Sequence, residues 1–286
     1  MSHGCGQARS ALVGTLWSID PLQPEEQAVP AATPTPSTTL PPIVLVAGAW
    51  LGGWAWDEVV GPLRAAGHRV LAPTLPGMGD RTKEDHADID VTAHIEDLAG
   101  WLQEQALTDV VLVGHSYAGA VATGAAAALP DMVDRLVYVD ASVPTDDGPL
   151  VGAGPQLEAM QAWADGVDGR LLPLLPEEML CARELYGADD LSDEALQRFR
   201  EHASPFPLPC MTSALPPGTV AGASGIPRTF VRCTRSGPPP WWTDADQRRA
   251  EDRYVELDAG HWPMWSRPEE LAAAILARAE RPASGG

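Results

Sequence analysis

The stretch that most constrains this chain is Gly114-His115-Ser116-Tyr117-Ala118-Gly119. Before it runs Asp109-Val-Val-Leu-Val113, a short apolar, β-branched segment bounded by turn signals, which predicts a buried strand. After it, Ala118 to Leu129 is so rich in alanine that helix is the expected state until Pro130 stops it. A serine between the two sits on a sharp strand-to-helix turn and is pushed clear of the backbone. Small residues two before and two after it, Gly114 and Ala118, let the chain bend that tightly. The helix that begins there aims free N–H groups and the positive end of its dipole at whatever Ser116 attacks.

Other elements fall into a repeating order. Residues 1–42 carry no sustained period and end in Ala28-Val-Pro-Ala-Ala-Thr-Pro-Thr-Pro-Ser-Thr-Thr-Leu-Pro-Pro42, a Pro/Thr-rich linker expected to be extended. Strands are predicted at Ile43–Ala47, Arg69–Ala72, Arg135–Asp140, Arg228–Cys233 and Arg253–Leu257. Helices are predicted near 57–66, closed by Gly67, and over 91–105, 192–202 and 243–250. A last helix is expected to start at Ser266 as N-cap, with Pro268 in its first turn and Glu269 completing a capping box. Strands alternating with helices at this spacing predict an α/β fold with a doubly wound, mostly parallel sheet. From about 145 to 225 the rhythm breaks, and nine prolines cluster among short helical stretches. Eighty residues are too many for a plain connection, so 145–225 reads as a mainly helical cap inserted into a core formed by 43–144 and 226–286.

The hexapeptide with its flanking strand and helix resembles the nucleophile elbow of the α/β-hydrolase family, with Ala118 in place of the usual second glycine. The resemblance covers roughly 43–280. It is nearest to the small esterases and hydroxynitrile lyases typified by plant methylesterases. The supporting stretches are Val44-Leu-Val-Ala-Gly-Ala-Trp-Leu-Gly-Gly-Trp-Ala-Trp56 and Gly67-His-Arg-Val70, with Ala47 where that branch carries histidine.

The resemblance implies roles. Ser116 alone is a poor nucleophile and needs a base within reach. In this fold the base lies after the last strand, where Asp258-Ala-Gly-His261 stands, so His261 is the candidate. His115 adjoins the serine but must point away from its hydroxyl, and packing is the better reading for it. The oxyanion needs two pre-aimed donors. The amide of Tyr117 follows the nucleophile directly, and the resemblance puts the second at Ala49. The acid has three candidates. Cys233-Thr-Arg-Ser-Gly-Pro238, the fold's usual place for it, has no carboxylate, while Asp244 and Asp246 come later and could fold back. Asp140 closes the apolar Val137-Tyr-Val-Asp140 strand and is favoured, because a charge ending a buried strand must be paired. Trp50, Trp54 and Trp262 are candidates for lining an apolar pocket, although core packing would account for each singly.

These residues predict a serine hydrolase acting on an ester, lactone, thioester or amide of a small apolar molecule. The alternative is a non-hydrolytic lyase or cyclase of natural-product biosynthesis using the same groups for proton transfer. The lysine used by hydroxynitrile lyases of this branch disfavours that particular chemistry, because the chain's single lysine is Lys83. Composition narrows the partners. The chain has 286 residues and a formal charge of −20, which repels phosphate backbones and anionic lipid. The expectation is a small-molecule substrate, with no nucleic acid, membrane, metal or cofactor. No apolar run approaches the ~20 residues that span a bilayer. Cys5, Cys181, Cys210 and Cys233 lack metal-site or disulfide-scaffold spacing, so reduced thiols in a cytoplasm are expected. The start, Ala11-Leu-Val-Gly-Thr-Leu-Trp17, only faintly resembles a signal peptide.

Overall fold

The structure is a computed structural model and describes residues 40–82, 89–165, 169–238, 249 and 251–277. The helix expected near 243–250, Asp244 and Asp246, and nearly all of the linker lie outside the described residues. Six short apolar runs form one sheet: β1 (Ile43–Val46), β2 (Val70–Leu71), β3 (Val110–His115), β4 (Val133–Val139), β7 (Arg228–Cys233) and β8 (Arg253–Leu257). Their order is β2-β1-β3-β4-β7-β8, and every neighbouring pair is parallel. The central strands β1 and β3 are buried along their whole length, which explains why they read as continuous rather than alternating apolar runs.

The strand order decides where a ligand can sit. From β1 the chain passes through α1 (Asp57–Ala65) to β2 at the edge, then returns through α2 (Val91–Glu104) to β3 on the other side of β1. The direction of winding reverses between β1 and β3, and with right-handed crossovers a crevice opens at the carboxyl ends of those two strands. Their register, Val46 opposite Gly114, sets the loop Ala47-Gly48-Ala49 beside the turn at Ser116. After β3 come α3 (Ala118–Ala128) and β4. Helix α3 is buried from Ala118 to Ala126, so α2 approaches it closely: a Cβ on Gly124 would stand 2.3 Å from Ile95 Cδ1.

Between β4 and β7 the chain forms short pieces: α4 (Pro155–Asp165), β5 (Leu171–Leu172), α5 (Glu177–Cys181), α6 (Asp193–His202), β6 (Phe206–Pro207), α7 (Pro209–Thr212) and α8 (Thr219–Gly222). Ser192 caps α6, its side chain accepting from the Ala195 amide. Strands β5 and β6 pair antiparallel, a feature too short to leave a periodic signal. The capping box expected at the C-terminus is corrected. Ser266 is the last residue of α9 (Pro263–Ser266), and Arg267 is the N-cap of α10 (Pro268–Leu276). The Ser266 hydroxyl caps nothing. Pro263 starts a helical turn early, and the Trp265 indole, which donates to Ala55 O at 2.9 Å, pins it there.

The turn at Ser116 is as tight as the sequence implies, but the stringent positions differ in part. A Cβ on Gly114 would stand 2.6 Å from Ala118 O, and one on Gly119 would stand 2.4 Å from Ser142 O. Ala118, by contrast, accommodates its methyl group in the core. Changing Gly119 to alanine should therefore lower stability by about 1–3 kcal/mol in urea melts. Gly100→Ala, mid-helix with nothing within 4 Å of the new methyl, should raise it by about 0.4–1 kcal/mol. Equal signs for the two would contradict the close approach.

Helix α2 also carries His94, fully buried against the first turn of α3. Its Nε2 donates to Pro76 O (2.9 Å), and its Nδ1 accepts from the Tyr117 hydroxyl (3.0 Å), an arrangement that requires a neutral ring. Burial lowers its pKa to about 4. The unfolded chain binds this proton near pH 6.5 and the folded chain does not, so stability is full above 6.5 and falls as pH drops toward 4. The loss should reach about 3 kcal/mol at pH 4. Denaturant titrations of wild type and His94→Gln from pH 7 to 4 should differ in slope, with the variant flatter; parallel curves would remove His94 as the cause.

Candidate active site

Ser116 sits at φ 52°, a left-handed conformation that a non-glycine residue adopts only where its surroundings compel it. Two backbone bonds supply the compulsion: the Ser116 amide donates to Val139 O (3.1 Å), and its carbonyl accepts from the Ser142 amide (2.9 Å). From there the hydroxyl reaches His261 Nε2 at 2.9 Å. His261 Nδ1 in turn lies 2.7 Å from Asp140 Oδ2. With Nδ1 donating to the carboxylate, Nε2 is left as the acceptor facing the hydroxyl.

Asp140 is one residue past β4, at φ 43°, and its side chain is 4 % exposed. A carboxylate so dry must be held by donors. His261 supplies one. The other two come from the end of β7 and the turn that follows it: the Cys233 amide to Oδ1 at 3.2 Å and the Ser236 hydroxyl to Oδ2 at 2.8 Å. Among the three candidate carboxylates the described structure brings Asp140 to His261.

The loop carrying His261 is clasped on three sides. Its own amide donates to Tyr186 O (2.8 Å), and the Gly260 amide donates to Asp190 Oδ2 (2.9 Å). Its carbonyl accepts from His115 Nε2 at 2.7 Å. Burial and the neighbouring His261 hold the His115 pKa well below its ordinary value, so the ring stays neutral with its proton on Nε2. His115 is thus packed, as expected, but it also braces the His261 loop. Nothing in the sequence distinguishes that brace from a plain core histidine. Tyr186 and Asp190 were equally silent, since both come from the irregular stretch between β4 and β7.

Gly48 presses against the serine, and a Cβ there would stand 2.6 Å from Ser116 Cβ and 3.0 Å from His115 O. That contact sets the neighbouring Ala49 beside the elbow. Tyr117, at the N-cap of α3, brings its amide to the same turn. Among the described residues no protein acceptor is paired with either amide. The phenol of Tyr117 is buried away from the site, against His94 and Phe206, and burial pushes its pKa well up.

The three tryptophans go to different places. Trp262 stands edge-on to His261, ring centres 5.2 Å apart. Trp50, at φ 67°, donates its indole N–H to Pro173 O (2.9 Å) and packs beside Trp163 and Phe206. Trp54 stacks on Trp265 and lines a groove of about 740 Å³ that includes none of Ser116, His261 and Asp140. No described cluster of three or more His, Cys, Asp or Glu side chains could hold a metal. The described cysteines, Cys181, Cys210 and Cys233, are free thiols, and burial pushes that of Cys210 up to about 12.

Comparison with known proteins agrees with this architecture. Residues 43–274 match the model of the alpha/beta hydrolase family. A carbendazim hydrolyzing esterase of Nocardioides sp. (strain SG-4G) is 30% identical over 82% of this chain and 98% of its own. Methylesterase 7 of Arabidopsis thaliana is 30% identical over 83% of this chain and 96% of its own. A solved extracellular alpha/beta-hydrolase from a Paenibacillus species superposes with a TM-score of 0.73 at 21% identity, over 85% of this chain and all of that one. The parallel sheet, the elbow and these likenesses together make the chain a member of the alpha/beta hydrolase family, and within it a carboxylesterase-like enzyme.

Proposed function

We propose that the protein is a serine hydrolase that cleaves an ester, lactone, thioester or amide bond of a small apolar molecule through an acyl-enzyme. The observation that carries the reading is the unbroken hydrogen-bond chain from Ser116 Oγ through His261 to Asp140. Ser116 Oγ attacks the substrate carbonyl carbon as its proton passes to His261 Nε2. The charge that develops on the carbonyl oxygen is met by the amides of Ala49 and Tyr117. Collapse of the adduct breaks the bond to the leaving group, which takes the proton from Nε2. Water then enters, gives a proton to Nε2 and attacks the acyl carbon; this second adduct collapses, the bond to Ser116 Oγ breaks as Oγ takes the proton back from Nε2, and the acid leaves. Asp140 keeps Nδ1–H pointed at itself and stabilises the imidazolium, and remains ionised throughout.

Residues 145–225 serve as the cap in this reading, and with Trp50 and Trp262 they form the apolar wall that selects the substrate. The relatives named a carbendazim hydrolyzing esterase and a methylesterase support an ester-like bond in a small substrate. Among the described residues no helix is long and apolar enough to cross a membrane. The free thiols of Cys181, Cys210 and Cys233 fit work in a reducing compartment such as the cytoplasm.

A fluorophosphonate should add one label per chain, seen by intact mass. The label should be lost in Ser116→Ala and much reduced in His261→Ala. A folded protein that takes no label, yet turns over its own substrate, would favour a lyase or cyclase. With p-nitrophenyl esters of graded chain length as substrates, Asp140→Asn should lose roughly 10² or more in kcat, toward the ~10⁴ seen for such a swap. Asp244→Asn and Asp246→Asn should stay within a few-fold of wild type. Collapse in Asp244→Asn with Asp140→Asn intact would move the acid to the later loop.

A further inference from the structure

Trp50 occupies a place that suits a glycine. It is the third residue of the turn Gly48–Leu51, closed by the bond from the Leu51 amide to Gly48 O (3.3 Å), and it stands at φ 67°. A bulky side chain adopts that conformation only where its surroundings hold it there. The holding groups come from the segment between β4 and β7. The indole N–H donates to Pro173 O, just past β5, at 2.9 Å. The Trp50 carbonyl accepts from the Ser204 amide, between α6 and β6, at 3.0 Å. Ser204 is itself fixed: it is 4 % exposed, and its hydroxyl accepts from the Gly79 amide at 3.0 Å. Phe206 packs on the Trp50 ring and on the Tyr117 ring, with centres 5.9 and 4.9 Å away. One buried side chain thus braces both Tyr117 and the neighbour of Ala49.

We propose that Trp50 is a positioning residue: tied to Pro173 and Ser204, it holds the Gly48–Leu51 turn so that the Ala49 amide stays aimed at the substrate's carbonyl oxygen. The proposal rests on the serine-hydrolase reading above and makes the oxyanion hole a joint product of the core and the segment between β4 and β7. Gly48 fixes the turn on the side of Ser116, where a Cβ would stand 2.6 Å from Ser116 Cβ. Trp50 fixes it from the far side. Donors of this kind act by being in place when charge develops, so a loosened turn loses turnover rather than substrate binding. With the indole bond gone, residue 50 has one tie fewer against relaxation to the negative φ that ordinary residues prefer.

The test uses the full chain. It measures steady-state turnover of a p-nitrophenyl ester, and the amide NMR spectrum of isotope-labelled protein before and after fluorophosphonate attack on Ser116. The phosphonyl oxygen of that adduct stands in for the oxyanion, and an amide donating to it moves downfield. Trp50→Phe keeps an aromatic ring and loses the N–H. Its kcat should fall roughly tenfold, part of the ~10²–10³ lost with a whole donor, while KM stays within about threefold. The downfield shift of the Ala49 amide should shrink in the same variant. The pH dependence of kcat should stay that of the wild type, because the tie does not reach His261. Ser204→Pro removes the other tie, and Ala203, at ψ 150°, suits a following proline. Ser204→Ala loses the same hydroxyl but keeps the amide, so Ser204→Pro should be slower than Ser204→Ala by about fivefold in kcat. A merely structural role would lower the melting temperature and leave the kcat of the folded protein and the Ala49 shift unchanged.

Wild-type kcat in Trp50→Phe, or a raised KM with kcat unchanged, would overturn the proposal and leave Trp50 a wall for the substrate alone. Should Trp50→Phe fail to fold, the contrast between Ser204→Pro and Ser204→Ala decides it, and equal kcat overturns it. Should Ser204→Pro fail to fold, Trp50→Phe decides. Wild-type protein that takes no label at Ser116 would overturn the functional reading and this inference together. A labelled wild type in which the Ala49 amide does not move would overturn the inference alone.

Discussion

A carboxylate kept almost dry at the end of a strand is the most demanding group in this molecule. Buried there, Asp140 needs donors in place of water, and Cys233, Ser236 and His261 each aim one at it. Each donor depends on a different part of the fold. The Cys233 amide needs β7 in register with β4, and the Ser236 hydroxyl needs the turn that follows. The His261 ring needs a loop reaching back from beyond β8. The sheet order that sets β4 beside β7 and β7 beside β8 brings these three together. The strained φ of Asp140 is sustained in part by its amide bond to Val231 O.

What the sequence revealed follows the same division. Strands β7 and β8 fall at the expected residues, because each opens on an arginine and carries β-branched and aromatic residues, Thr229-Phe-Val231 and Tyr254-Val255. Ser116 was legible because a sharp turn needs small neighbours in a fixed pattern. Even so, the pattern points to residue 118 as the second small position, whereas the backbone of Ser142 makes Gly119 the strict one. That constraint comes from a segment 23 residues away and has no local signature. Asp140 stands out in the sequence as a charge closing a buried core strand, and the structure sets it against His261. The roles of Ser236, Asp190 and His115 were invisible, because a buried serine or histidine looks the same in sequence whether it braces a loop or fills space. At the C-terminus a good local capping signal at Ser266 lost to a distant indole bond, from Trp265 to Ala55.

The neutral histidines have a related cost. His94 and His115 are both held uncharged by burial, one under the elbow helix and the other under the His261 loop. Each gives a rigid, directional bond from Nε2–H to a backbone carbonyl, Pro76 O or His261 O. A glutamine amide could offer a donor but not the same flat ring packed edge-on against Trp56, as His115 is. Rigidity at the elbow is thus obtained with groups that acid can charge.

The clasp on the His261 loop ties two kinds of change together. Tyr186 and Asp190 belong to the stretch between β4 and β7, which serves as the substrate-selecting cap in the proposed function. Yet their carbonyl and carboxylate also anchor His261 and Gly260. A stretch transplanted from a relative would arrive with its own shape but without guaranteed partners for those two amides. The base would then drift even though no residue of the core had been altered. Exchange of this segment is therefore not modular: its acceptors for residues 260 and 261 must travel with it, or selectivity will be gained at the expense of alignment.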